Sequence, residues 1–128
     1  MRPQVRDSSQ VESEVWDDPV RGDVSFRVLF SADRTPTSAL YTGLAELSPG
    51  GWLGRHRHTQ TETYVVTEGS GVVVLDGVEH AVTAGSAVFI PGDAEHGIRN
   101  TGEGTLRFVH GFATDAIDDV VHRFSADG

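Results

Sequence analysis

The chain has 128 residues, the size of a single domain with one core, and its hydrophobic content is ordinary for a soluble protein. Its 19 acidic against 10 basic residues give a formal charge of −9, which repels phosphate backbones and anionic lipid. Nucleic-acid and membrane partners are therefore not expected. There is no cysteine, which excludes disulfides, thiolate nucleophiles and thiolate-bound zinc or iron–sulfur centres. The N-terminal stretch lacks the apolar core of a signal peptide and no run approaches a membrane span, so a cytoplasmic location is expected.

Residues 1–23 are polar and mixed in charge, and are expected to form an arm or edge segment with Val15 and Trp16 as anchors. Residues 24–128 are expected to form the single domain. Val24 to Phe30 reads as a strand, with Phe26, Val28 and Phe30 on one face at period two. Ala39 to Leu47 is a second, closed by Ser48-Pro49-Gly50-Gly51. Thr63 to Thr67 is β-branched and aromatic, and Val72 to Leu75 follows the Gly69-Ser70-Gly71 turn. Asp76-Gly77 is the strongest hairpin signal in the chain. Val78 to Val82, Ala87 to Ile90, Glu95 to Asn100 and Leu106 to Phe112 complete the strands. Asp115 to His122 reads as a short helix, with Thr114 or Asp115 as its cap. Many short strands at regular spacing predict an all-β sandwich or barrel.

His56 and His58 lie two apart in an extended segment, so both imidazoles leave the same face. Strand rise sets their Cα atoms ~6.5 Å apart, which lets both rings reach one ion. Glu62 can bring a carboxylate oxygen to the same point, and His96 comes from another hairpin behind Pro91-Gly92. Three imidazoles and a carboxylate suit one divalent transition metal (Fe, Mn, Ni, Zn or Cu) rather than calcium or magnesium. Tyr64, two residues beyond Glu62, faces the same interior; a phenol beside a divalent cation can act as a general base. Phe108, His110 and Phe112 share parity, which makes His110 a candidate acid–base or substrate contact. Trp52 and Arg55 are candidates for the mouth of the site, and His80 is expected to be exposed. Gly69-Ser70-Gly71 lies between strands, so it is no dinucleotide loop, and no Gly-X-Ser-X-Gly elbow exists.

Two blocks carry a family resemblance. The first is Gly50, His56-X-His58, Glu62 and Gly69; the second is Gly85, Pro91, His96 and Asn100. They resemble the paired motifs of the cupin superfamily, with one departure: Asp93 stands where a glycine is expected, and Gly92 is beside it. The resemblance implies a double-stranded, jelly-roll β-barrel with a metal near its centre. It makes His56, His58, Glu62 and His96 the four ligands, and it implies a homodimer.

The run Glu62 to Thr67, the turn Gly92 to His96 and the tail Phe112 to Asp115 resemble the small cupin-type dimethylsulfoniopropionate lyases. In that family a tyrosine removes the proton α to a metal-bound carboxylate and dimethyl sulfide is expelled; carried over, Tyr64 is the base. His110 and Gly111 stand where those enzymes have bulky aromatics, and His122 stands where they have tyrosine. A sulfonium is held by aromatic faces, so these departures bear on the substrate more than on the reaction. The expected function is thus a metal-dependent lyase acting on a small carboxylate-bearing molecule. An Fe(II) dioxygenase, a metal-dependent isomerase or cyclase, and a non-catalytic binding cupin are the alternatives.

Overall fold

The structure is a computed structural model describing residues 1–125. Eleven strands account for most of it, in chain order β1 (Glu14–Asp18), β2 (Gly22–Phe30), β3 (Tyr41–Leu47), β4 (Trp52–Arg57), β5 (Glu62–Glu68), β6 (Ser70–Leu75), β7 (Val78–Thr83), β8 (Ala87–Ile90), β9 (His96–Asn100), β10 (Leu106–Phe112) and β11 (Arg123–Phe124). All pairings are antiparallel, in the order β7-β6-β9-β4-β2-β3-β10-β5-β8, with β1 added to β2 and β11 to β4. The sheet curls into the barrel that the many short strands predict.

Alternation builds the interior. In β3 and β10 every second residue is buried, and β5 buries Glu62, Tyr64 and Val66 while Thr63, Val65 and Thr67 face out. Leu47, Val66, Val73, Ile90, Ile98, Leu106 and Phe108 fill the main core. Each such aliphatic or aromatic side chain gains ~1.5–3 kcal/mol on full burial. Register then carries these faces onto one another. Tyr64 pairs with His110, His110 with Gly43, and Phe112 with both Glu62 and Tyr41. Three neighbouring strands thus deliver polar residues to one end of the interior.

The turns follow from local chemistry. Asp76 and Gly77 have φ of 47° and 83°, the doubly left-handed backbone of a two-residue hairpin, and Leu75 pairs directly with Val78. In the Pro91 turn the two special positions are split between two residues. A Cβ on Gly92 would lie 2.5 Å from the Thr59 carbonyl oxygen, so glycine is needed there for space. Asp93 takes the left-handed conformation, φ 64°, which aspartate tolerates better than most residues.

The C-terminal segment departs from expectation. The helix read over Asp115 to His122 shrinks to one 3-10 turn, Ile117–Asp119, and the chain then runs extended into β11. Asp115 does not cap: its Oδ1 accepts from Ala39 N at 2.6 Å, while Ile117 N donates to Ser31 Oγ at 2.9 Å. Ile117, Val120 and Val121 are β-branched and favour extended backbone. Val120 packs with Val28, Tyr41 and Phe112 in a second core cluster, so tertiary contacts override the helical pattern. At the other end, Trp16 on β1 pairs with Val24 and packs against the core, while Val15 faces solvent.

Candidate metal centre

His56 is on β4 and His96 on β9, directly opposite each other in the ladder, and His58 follows the end of β4. All three are at least 98% buried, and one ring nitrogen from each lies within 4.8 Å of the others. Their orientation is fixed from behind. His56 Nδ1 is 2.7 Å from Gly54 O, His58 Nδ1 2.9 Å from Gln60 O, and His96 Nδ1 2.9 Å from Ala94 O. A carbonyl only accepts, so each Nδ1 carries the proton, and in a neutral ring Nε2 presents a lone pair.

Glu62 enters from β5 with Oε1 3.0 Å from Nε2 of both His58 and His96. Burial opposes its charge, but the contacts from His58 and His96 outweigh this and hold the carboxyl down at about 2. Burial and the proximity of His96 push His56 down to about 3. With Nδ1 carrying the ring hydrogen, the contacts of His58 and His96 with Glu62 require a second proton on each imidazole; without it, Nε2 lone pairs face the carboxylate and repel it. A cation among the Nε2 atoms and Glu62 Oε1 removes that conflict, so the donor set fits a divalent transition metal.

Beside the cluster lies a cavity of about 60 Å³, bounded by His56 and Glu62 and otherwise mostly by apolar and aromatic side chains. One water needs ~10–15 Å³ on this measure, so the space suits a small molecule of a few heavy atoms. Tyr64 and His110 both line it. Among the described residues, neither the Tyr64 hydroxyl nor His110 Nδ1 has a hydrogen-bond partner, although both are buried. Burial, then the Glu62 charge, push the Tyr64 phenol well above its ordinary range; burial pushes His110 down.

Trp52 and Arg55 are placed elsewhere: they line an outer groove with Val74 and Arg99, and Arg55 lies 3.8 Å from Glu95. For Arg55 the reason is parity, because His56 faces in and its sequence neighbour faces out; Trp52 lies before the register shift between Leu53 and His56, across which simple alternation does not carry. His80 is exposed on β7. His122 lines the cavity, its ring 5.4 Å from that of His56, and burial followed by the proximity of His58 lowers it to about 4. Tyr41 and Trp16 line the cavity without a functional reading from the sequence, as do Phe26 and several aliphatic residues. Tyr41 donates or accepts at 3.0 Å with His110 Nε2, and Trp16 closes the wall with Phe26, ring centroids 5.3 Å apart. Tyr41 shares parity with Ala45 and Leu47, which was the available signal.

A family model described as a cupin domain matches residues 43–112. The chain belongs to the cupin family. It is 42% identical to dimethylsulfoniopropionate lyase DddW of Ruegeria pomeroyi over 97% of this chain and 81% of that protein. Among solved structures, the polyketide cyclase RemF of Streptomyces resistomycificus superposes with a TM-score of 0.79 at 26% identity, covering 99% of this chain and 89% of that one. A predicted oxalate decarboxylase of Thermotoga maritima gives 0.77 at 26% identity, over 87% and 99% respectively. This cupin shares its barrel with relatives of differing chemistry, so the fold alone does not specify its reaction.

Proposed function

We propose that this cupin is a metal-dependent lyase that cleaves dimethylsulfoniopropionate, with His56, His58, Glu62 and His96 as metal ligands and Tyr64 as the base. The observation that carries the reading is the Tyr64 hydroxyl: buried, without a partner among the described residues, and lining the cavity that His56 and Glu62 bound. Identity of 42% to a lyase of that substrate supports it. His56, His58, Glu62 and His96 would hold a divalent ion, which when bound would supply positive charge for the substrate carboxylate and oppose the upward shift of the Tyr64 phenol.

Once the Tyr64 phenol has lost its proton to solvent, the phenolate Oη takes the proton from the carbon α to the carboxylate. The C–H electron pair becomes the Cα=Cβ bond, and the Cβ–S pair leaves with sulfur as dimethyl sulfide, giving acrylate. The cavity excludes bulk water during this step, because its lining is mostly apolar. Aromatic faces for the sulfonium come from Trp16 and Phe26 on β1 and β2, rather than from the positions of His110 and Gly111. Its small volume favours a substrate of this size over a polyketide.

The test is headspace gas chromatography of metal-loaded protein with dimethylsulfoniopropionate. Dimethyl sulfide with stoichiometric acrylate is expected, abolished in Tyr64→Phe with metal content intact. Turnover by Tyr64→Phe at the wild-type rate contradicts the role of the tyrosine, and no product from wild type contradicts the substrate.

A further inference from the structure

His110 is 92% buried, and its two ring nitrogens are treated very differently. Nε2 lies 3.0 Å from the Tyr41 hydroxyl, itself fully buried, whereas Nδ1 has no partner among the described residues. Space for the pair is made by Gly43, which sits opposite His110 in the β3–β10 ladder. A Cβ at Gly43 would lie within 2.6 Å of His110 Cε1 and within 2.7 Å of its Nε2, and would also overlap the Tyr41 hydroxyl. Glycine at this position, with an ordinary negative φ, is therefore explained by space rather than by backbone freedom.

The hydrogen can lie either way between Tyr41 and His110, and counting buried polar groups decides between the two. If His110 Nε2–H donates to Tyr41, the phenol hydrogen and the Nδ1 lone pair are both left without partners. If the phenol donates to the Nε2 lone pair, only one donor, Nδ1–H, is left over. Burial keeps the Tyr41 phenol protonated, which suits its role as donor. The remaining Nδ1–H belongs to a ring that lines the cavity.

We propose that Tyr41 is a positioning residue that holds His110 as the Nδ1–H tautomer, so that His110 donates a hydrogen bond to an anionic oxygen of the small molecule bound in the cavity. The ligand half of this inference rests on the carboxylate-substrate reading above; the tautomer half does not.

The experiment is long-range ¹H–¹⁵N correlation on zinc-loaded, ¹⁵N-labelled protein, with propionate as an unreactive carboxylate probe. In the wild type, His110 is expected to be protonated at Nδ1 and bare at Nε2, and Tyr41→Phe is expected to move it toward the Nε2–H form or an exchange average. Saturating propionate shifts the His110 Nδ1 signal, and Tyr41→Phe weakens propionate binding about five- to tenfold, the scale of one lost hydrogen bond. A wild-type His110 protonated at Nε2 overturns the proposal, whether or not Tyr41→Phe folds. So does a tautomer unchanged in folded Tyr41→Phe, or propionate binding that leaves the His110 signal in place. Failure of the lyase reading would look different: no dimethyl sulfide, with the tautomer as stated.

Discussion

The two walls of the cavity differ in how their polar atoms are satisfied. On the wall built by β4, β9 and the start of β5, each histidine is tied through Nδ1 to a backbone carbonyl, and Glu62 lies 3.0 Å from two of them. On the facing wall the Tyr64 hydroxyl and His110 Nδ1 are buried without partners among the described residues. A wall held from behind is preorganised for a permanent ion, since little ordering remains to be done on binding. Unpartnered polar atoms cost free energy in the resting protein and are explained when a transient ligand completes them. On the proposed function, the contrast separates residues that would keep a metal ion from residues that would meet a substrate.

Substitutions on each wall should therefore fail in different ways. The largest effect is expected from His96→Ala on the ligand wall. Direct ligand loss should exceed the ~10–100-fold affinity cost typical of outer-shell changes, so metal content and turnover should fall together. Elemental analysis beside the activity assay checks this, and a variant active with bound metal would break the distinction. Next is Tyr64→Phe, which should keep its metal and lose turnover by ~10²–10⁴-fold, the range of general-base catalysis. Trp16→Leu should leave metal content and kcat near wild type while KM for a sulfonium substrate rises by about 3–30-fold, from a cation–π contact of ~0.5–2 kcal/mol. Steady-state kinetics with metal analysis read both quantities.

The pH dependence follows from the buried histidines. His122 is lowered to about 4, so between that value and 6.5 the unfolded chain binds a proton that the native chain does not. Its contribution is in full force above about 6.5 and is lost as the pH falls toward 4. His110 is shifted in the same direction by burial. Thermal melts should show Tm falling through this window, with a shallower fall in His122→Gln. The smallest effect is expected at Asp93, whose exposed side chain pairs with Arg123 and whose backbone N–H, kept in either variant, donates to His58 O at 2.8 Å. Asp93→Val should cost ~1–2 kcal/mol by placing a β-branched residue at φ 64°, whereas Asp93→Asn should stay near wild type in stability and turnover.

Much of this was legible in the chain because strand alternation is local. Ala87 to Ile90 and Leu106 to Phe112 begin and end where period-two patterning and turn residues place them. The placement of His56, His58, Glu62 and His96 together rests on motif spacing that the barrel converts into proximity. The facing wall was harder to read because its partners are distant in sequence: Tyr41 and His110 are 69 residues apart and meet through strand register. Trp16 reaches the cavity because β1 pairs with β2, a contact invisible in a polar N-terminal stretch. The C-terminal segment keeps only one 3-10 turn of its expected helix for the complementary reason. Its apolar spacing fits a helix, but Val120 and Phe124 are recruited separately, one to the second core cluster and the other against His56, ring centroids 5.1 Å apart.

The most direct test of the central claim, that the preorganised wall is a metal site, is elemental analysis of wild-type protein purified without added metal, alongside His58→Ala and His96→Ala. About one divalent transition-metal ion per chain is expected in wild type, with loss in both variants while the barrel stays folded. A wild-type protein that neither carries such an ion nor takes one up on titration, or variants that hold it as tightly, would contradict the account.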